Sequence, residues 1–184
     1  MPWNNANQIG SRNYTCGFCG NIVASSNGFS HQNNSYRIYL CPHCEKPTYF
    51  GWHEGQIPGV APGYEVKALP PDIEGLYSES RNSVAASAYT GAVLLSRKLL
   101  MNIAVTQGAP TGKPFIEYVE YLAANGYVPP NGKGWVDHIR KKGNEATHEI
   151  VAMSRQDAED LISFTEMLLK FIYEFPSGVP APTP

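Results

Sequence analysis

The spacing of hydrophobic positions changes once along this chain, near residue 71. Before that point, apolar and aromatic residues form short runs at 21–24, 36–40 and 48–52, which are typical of β-strands. Turn residues at 25–28 are expected to end the first of these runs. After residue 71, apolar residues recur at every third or fourth position, as on the buried face of a helix. The pattern therefore predicts a small β segment followed by an all-α segment.

The all-α segment is predicted to form a bundle of four or five helices. Their expected positions are 72–77, 85–106, 115–122, a stretch that begins near 135, and 154–175. Ser154 and Asp157 resemble a capping box at the start of the last helix, with Asp in place of the usual Glu. The apolar stripes of these helices are interpreted as core packing.

All four cysteines of the chain fall into two C-x-x-C pairs, Cys16 with Cys19 and Cys41 with Cys44. Two such turns that face each other bring four thiolates together, which is the ligand set of a tetrahedral zinc site. Four protein ligands leave no coordination position for water. We therefore expect one structural Zn²⁺ per chain, without a catalytic role of its own.

Two other uses of the cysteines fit the sequence less well than zinc does. A pair of disulfides suits a secreted chain, but the sequence opens on polar residues and shows no secretory leader. Redox chemistry requires a C-x-x-C at the start of a helix, whereas Pro47 and a strand-like stretch follow Cys44. The spacing therefore favours zinc. Because four cysteines complete the site, the nearby histidines are expected to be spare; they are His31, His43 and His53.

These signals divide the chain into four parts. We predict a zinc ribbon at 1–54, a Pro/Gly-rich linker at 55–71, a helical bundle at 72–175 and a disordered Pro-rich tail at 176–184. A sheet of three short strands buries little apolar surface, so the metal is expected to supply the missing folding energy of the ribbon.

Charge and composition exclude some classes of function. The formal net charge of −2 gives no global attraction to nucleic acid or to a membrane surface. No apolar run approaches the length of a membrane span. Reduced cysteines without a secretory leader lead us to expect a cytoplasmic protein.

One polar segment stands out from the apolar helices. If 137–148 is helical, then Arg140, Asn144 and His148 step by four and share one face. Arg could bind phosphodiester oxygens, Asn could orient a hydroxyl group and His could move a proton, which suits metal-independent RNA cleavage by the neighbouring 2′-hydroxyl. The alternative is structural, with Asn144 and His148 fixing a helix junction through hydrogen bonds, and the residue types alone favour it.

The same segment carries a family resemblance. The pattern Ile139-Arg140-x-x-Gly143-Asn144-x-Ala146-x-His148 resembles the signature of domain-of-unknown-function family 4145, a branch of the HEPN superfamily. The helix that contains Arg97 is similar to the other landmark of that family. The resemblance covers about 65–175 and implies a HEPN-like up-and-down bundle of four or five helices that often forms a homodimer.

The resemblance also implies two functions. HEPN proteins include metal-independent ribonucleases whose Arg and His form an active site where two copies meet. Carried over, His148 matches the motif's His and Arg140 matches the Arg of this branch, whereas Lys142 and Met101 depart from the family pattern. We expect a binding or regulatory module that recognises RNA, another nucleic acid or a protein in a prokaryotic or phage conflict setting. The alternative is an endoribonuclease with a dimeric site of Arg140, Asn144 and His148.

Overall fold

The chain divides into two compact units. The computed structural model describes residues 3–32, 35–52, 55–129, 132, 134–139 and 152–179. The first unit comprises Met1–Ala61 with Ala85–Ser87, and the second comprises Pro62–Val84 with Ala88–Pro184. Each unit contains its own cluster of buried apolar side chains. The predicted class, a small β ribbon followed by an all-α region, is confirmed.

The first unit is a five-stranded antiparallel sheet whose strands follow chain order. The strands are β1 (Asn7–Thr15), β2 (Ile22–Ser30), β3 (Arg37–Leu40), β4 (Pro47–Phe50) and β5 (Gln56–Ile57). One face buries Tyr14, Tyr39 and Phe50 beside the cysteines, and the rings of these three residues pack against one another. This face therefore forms the core of the ribbon.

Two of the five strands were not predicted. β1 is polar and mostly exposed, so it lacks the apolar alternation that marks a strand, and its pairing with β2 holds it in the sheet. β5 lies inside the predicted linker, where it pairs with β4. The side chain of Gln56 also donates hydrogen bonds to the carbonyl groups of Thr15 and Pro58. Tertiary pairing therefore extends the sheet beyond what local sequence indicates.

The predicted turn at 25–28 is wrong, because β2 runs through it to Ser30. The hydroxyl group of Ser25 donates to the carbonyl oxygen of Leu40 at 2.7 Å, so this polar side chain is buried and satisfied. Gly28 lies against β3 so closely that a Cβ atom there would meet the oxygen of Ile38 at 1.9 Å. The residues that suggest a turn therefore allow close approach between two strands.

The second unit is built from helices. They are α1 (Pro71–Ala85), α2 (Tyr89–Thr106), α3 (Phe115–Ala124), α4 (134–139), α5 (Arg155–Leu169), a π-helical turn (Lys170–Glu174) and α6 (Phe175–Ser177). Within the described part of the chain, none of the helices is both long and apolar enough to span a membrane.

The core of this unit lies between α2, α3 and α5. Fully buried side chains include Leu100 and Ile103 of α2, Leu122 of α3, and Phe164 and Leu168 of α5. Burying a side chain of this size stabilises a fold by roughly 1.5–3 kcal/mol. The apolar stripes predicted from the sequence therefore do pack into one core.

Helix ends follow local sequence signals in two places and depart from them in one. The capping box is confirmed, since the hydroxyl group of Ser154 accepts from the backbone of Asp157 and the Asp157 carboxylate accepts from the backbone of Ser154. α3 ends before Gly126, whose φ is +81°. The helix expected from residue 85 instead begins at Tyr89, because Ser87 adopts a φ of +61° and separates α1 from α2.

An extended segment before α1 is fastened to the end of the bundle. The backbone amide of Tyr64 donates to the carboxylate of Glu166 at 2.9 Å, and that of Lys67 donates to Glu174 at 3.0 Å. The guanidinium of Arg81 donates to the carbonyl groups of Pro62 and Gly63. Val66 is buried in the bundle core. The second unit therefore includes chain upstream of its first helix.

Candidate functional site

The two cysteine pairs fold into knuckles with the same hydrogen bonds. In the first knuckle, the amide of Gly20 donates to the carbonyl of Cys16 and the amide of Cys16 donates to that of Asn21, both at 2.9 Å. The second knuckle repeats this at the same offsets, from Glu45 to Cys41 at 2.8 Å and from Cys41 to Lys46 at 3.0 Å. Each C-x-x-C therefore forms a tight turn that points both sulfur atoms to one side.

The four sulfur atoms converge on one point. Cys16 Sγ lies 3.7 Å from Cys44 Sγ, and Cys19 Sγ lies 3.8 Å from Cys41 Sγ. All four lie within 4.8 Å of one another. Zinc–sulfur bonds of about 2.3 Å in a tetrahedron place sulfur atoms about 3.8 Å apart. The thiols are free, and these separations far exceed a disulfide bond of about 2.05 Å, so the cluster is positioned to bind a metal ion.

Hydrogen bonds around the first knuckle prepare one thiol for a metal. Burial alone raises the pKa of Cys19, but the side chain and backbone of Asn21 and the neighbouring thiols outweigh this and lower the pKa to about 6. These hydrogen bonds therefore favour the thiolate of Cys19, the form that binds metals.

Two other thiols, those of Cys44 and Cys16, have raised pKa values and need a nearby cation in order to ionise. Burial, together with the three neighbouring thiols, raises the pKa of Cys44 to about 12, against a hydrogen bond from the backbone of Lys46. Burial also raises the pKa of Cys16, despite hydrogen bonds from the backbone of Phe18 and Cys19. Close thiols cannot all ionise without a cation among them. The chemistry of the site therefore fits a divalent cation held by four thiolates, and leaves no position open for substrate.

The histidines around the cluster stay outside it. His43 Nδ1 lies 3.2 Å from the side-chain nitrogen Nδ2 of Asn21, the residue whose hydrogen bonds lower the pKa of Cys19. His31 packs edge-on against the ring of Tyr36. The metal cluster contains neither. His53 lies outside the described residues.

The predicted catalytic residues Arg140, Asn144 and His148 lie outside the described residues, as does Lys142. Their proposed shared helix face stays a prediction. α4 places Ile139 in the bundle core immediately before this segment.

Sequence reasoning missed a pair of polar groups in the bundle. His138 Nε2 lies 3.0 Å from Asp160 Oδ2, and the side chain of Gln156 donates to Asp160 Oδ1 at 2.7 Å. Trp135 lies beside them on α4. His138 and Asp160 are 22 residues apart, so only the packing of α4 against α5 reveals the pair.

Sequence reasoning also missed a row of apolar side chains on the ribbon. Phe29, Ile38, Tyr49 and Ile57 are cross-strand neighbours on four adjacent strands, on the face opposite the cysteine core. The ring of Tyr36 stacks on Tyr49 with an interplanar angle of 11°. We call these five residues the outer face. Tyr36 remains 41% exposed and Ile57 63% exposed, so the outer face is open in part to solvent.

The fold and the cluster define a class: a small β unit with a metal-binding cysteine site, joined to an all-α unit. The sequence model of a family described as "Domain of unknown function (DUF4145)" matches residues 78–179. Because this match covers more than half of the 184 residues, the chain belongs to that family, and the predicted resemblance is confirmed. The relationship to the HEPN superfamily stays a prediction. Comparisons with curated proteins and with solved structures gave no match.

Proposed function

We propose that this protein is a binding module whose ribbon, stabilised by one structural zinc ion, holds single-stranded nucleic acid on its outer face. The observation that carries the proposal is the stacked, partly exposed pair of Tyr36 and Tyr49 in a cross-strand row of apolar side chains. Bases of a single strand stack on such rings whatever their sequence, and each stack contributes about 1–3 kcal/mol.

Zinc is the metal that suits the cysteine cluster best. Soft thiolate ligands in a tetrahedral set favour zinc over the hard cations, which prefer oxygen. When bound, the ion supplies cross-linking of the two knuckles and no reaction step. Metal analysis of the purified protein should give one zinc per chain, and Cys41→Ser should lower that ratio clearly. An unchanged ratio in Cys41→Ser would contradict a four-cysteine site.

The charge of the ribbon defines the kind of binding. Its lysine and arginine residues are Arg12, Arg37 and Lys46. Arg12 lies over the ring of Phe50 on the core side, and Lys46 lies over Phe18. At most three phosphates can therefore be neutralised, so stacking supplies most of the affinity. The logarithm of the binding constant should fall with the logarithm of salt concentration with a slope no steeper than about −2.

Fluorescence anisotropy with labelled single-stranded RNA and DNA tests the proposal. The double substitution Tyr36→Ala/Tyr49→Ala should weaken binding at least fivefold, the low end of the loss of one stacked base. The matched control is Tyr36→Phe/Tyr49→Phe, which keeps both rings and should bind within about twofold of the natural protein. Both variants should retain zinc, which shows that the ribbon stays folded.

Three results would contradict the proposal. They are no binding of either nucleic acid, equal affinity in the alanine and phenylalanine variants, or a salt slope much steeper than three contacts allow. If the protein binds a protein partner and neither oligonucleotide, the result would instead support a protein-binding module. RNA that is cut in the presence of EDTA, with cyclic-phosphate ends, would support the alternative ribonuclease. His148→Ala should then abolish cutting.

We also propose a homodimer, as the family resemblance implies, and the ribonuclease alternative requires one because its active site forms where two copies meet. We propose, from the family resemblance, that the module acts in a prokaryotic or phage conflict system.

A further inference from the structure

A second candidate site lies in the helical unit, apart from the residues of the ribbon. A cavity of about 230 Å³ opens between α4 and α5, and Gly134, Trp135, His138 and Asp160 line it. This volume is below the range of pockets that hold drug-sized ligands, about 300–1,000 Å³, so it suits one planar ring rather than a larger molecule.

Trp135 provides a rigid aromatic platform in this cavity. Its ring stacks on Phe164 with centroids 5.7 Å apart and an interplanar angle of 20°. Phe164 is fully buried, whereas Trp135 remains 42% exposed. One face of the indole is therefore fixed against the core, and the other can receive a flat ligand without a large loss of side-chain freedom.

His138 is held in one orientation beside the platform. An ionised carboxylate only accepts hydrogen bonds, so in the contact of His138 Nε2 with Asp160 Oδ2 the proton lies on Nε2. Gln156 donates to the other oxygen of Asp160 and fixes that carboxylate in turn. In the neutral imidazole this leaves Nδ1 as a hydrogen-bond acceptor.

We propose that this cavity binds a nucleobase, stacked on Trp135, with an N–H group of the base donating to His138 Nδ1. The exposed face of the indole and the acceptor Nδ1 of His138 both suit a flat base that carries an N–H group, so the base is the recognised group. Asp160 acts as a positioning residue, because it sets which nitrogen of His138 faces the ligand. This site goes beyond the proposed function, since none of its residues belongs to the ribbon.

Ligand-observed saturation-transfer NMR with adenosine monophosphate tests the site on the full chain. Ribose 5-phosphate is the matched ligand without a base. Adenosine monophosphate should bind with a measurable dissociation constant, and ribose 5-phosphate should give no saturation transfer. Trp135→Ala should weaken binding at least fivefold, whereas Trp135→Phe keeps a ring and should bind within about threefold. His138→Ala should weaken binding about two- to tenfold, as for the loss of one hydrogen bond.

Trp52→Ala is the control variant, because Trp52 is an exposed tryptophan of the first unit, 66% accessible, and should leave the dissociation constant unchanged. If Trp135→Ala does not fold, His138→Ala and the two ligands still decide the question. Absence of binding by adenosine monophosphate, equal binding of ribose 5-phosphate, or an unchanged constant in His138→Ala would overturn the inference. Failure here leaves oligonucleotide binding by Tyr36 and Tyr49 intact, so the two proposals can fail separately.

Discussion

At the scale of single residues, the two knuckles need the same positive-φ backbone conformation, but different residues occupy that position. Gly20 and Glu45 each follow the second cysteine of a pair, and both have positive φ, +69° and +59°. Glycine adopts this conformation freely, whereas a residue with a side chain loses roughly 1–2 kcal/mol. Gly20 is therefore well suited to the turn of the first knuckle, whereas Glu45 is held in its conformation by hydrogen bonds to Cys41 and from Trp3.

Gly28 is the residue whose replacement should damage the ribbon most directly. In Gly28→Ala the new Cβ would lie 1.9 Å from the oxygen of Ile38, so β2 and β3 must separate. We expect a loss of at least about 2 kcal/mol in the free energy of unfolding of the ribbon. Gly55→Ala is the matched control, since nothing lies within 4 Å of a Cβ there. Denaturant titration of both variants, with zinc present, measures the difference, and similar stabilities would contradict the close approach.

The thiols predict how zinc binding should depend on pH. Protons must leave Cys16 and Cys44, whose pKa values are raised, before the metal can bind, whereas the pKa of Cys19 is lowered. Zinc affinity should therefore fall as the pH falls, by at least about a hundredfold per pH unit near neutrality, because at least two protons are released. Competition with a chromophoric chelator between pH 6.5 and 7.5 measures this slope. A pH-independent affinity would show that these thiols are already ionised.

At the scale of elements, α1 and α2 are joined by a buried polar contact. The hydroxyl groups of Ser80 and Ser96 lie 2.6 Å apart, and Ser80 also lies 3.0 Å from the carbonyl of Ala92. Both serines are fully buried. The pair satisfies two polar groups that would each be costly if left without a partner in the core.

Removing one serine should therefore lower the free energy of unfolding by more than half of the loss caused by removing both. Ser80→Ala leaves Ser96 without its partner, so we expect a loss of about 1–2 kcal/mol in the free energy of unfolding of the bundle. The double substitution Ser80→Ala/Ser96→Ala removes both polar groups and should be less destabilising than the sum of the single changes. A double-mutant cycle by thermal denaturation measures this coupling. Additive losses would mean that the two hydroxyl groups do not depend on each other.

Elements with strong local signals were predictable, and those fixed by tertiary pairing were not. The cysteine spacing gave the metal cluster, and Ser154 with Asp157 gave the start of α5, because both signals act within a few residues. β1 carries no apolar pattern of its own and depends on β2. The outer face and the His138–Asp160 pair arise from register and helix packing, which link residues that are far apart in sequence.

At the scale of the whole molecule, each unit has its own source of stability. The ribbon has a small apolar cluster that includes Cys16 and Cys41, whereas the bundle core is larger and mostly apolar, with a few buried polar groups such as Ser80 and Ser96. A core as small as that of the ribbon rarely suffices without a metal.

Chelation should therefore act on one unit. EDTA, or a stronger chelator, should abolish the unfolding transition of the ribbon and leave the helical circular-dichroism transition of the bundle within a few degrees of its original temperature. Near-ultraviolet circular dichroism reports on the aromatic rings of both units, so chelation should remove only part of that signal, and far-ultraviolet dichroism reports on the helices. Joint loss of both signals on chelation would mean that the bundle depends on the metal as well.

The segment at 62–67 changes what counts as the domain. The family match begins at residue 78, which lies inside α1, seven residues after its first residue Pro71. Tyr64 and Lys67 lie upstream of that boundary, and they donate hydrogen bonds to Glu166 and Glu174. Val66 and Ile73 also lie upstream of it, and they fill part of the core. A chain shortened to the recognised region would begin halfway along a helix and leave two carboxylates and an apolar gap exposed. We therefore expect the folding unit to be longer than the region that sequence comparison recognises, and to begin near residue 62.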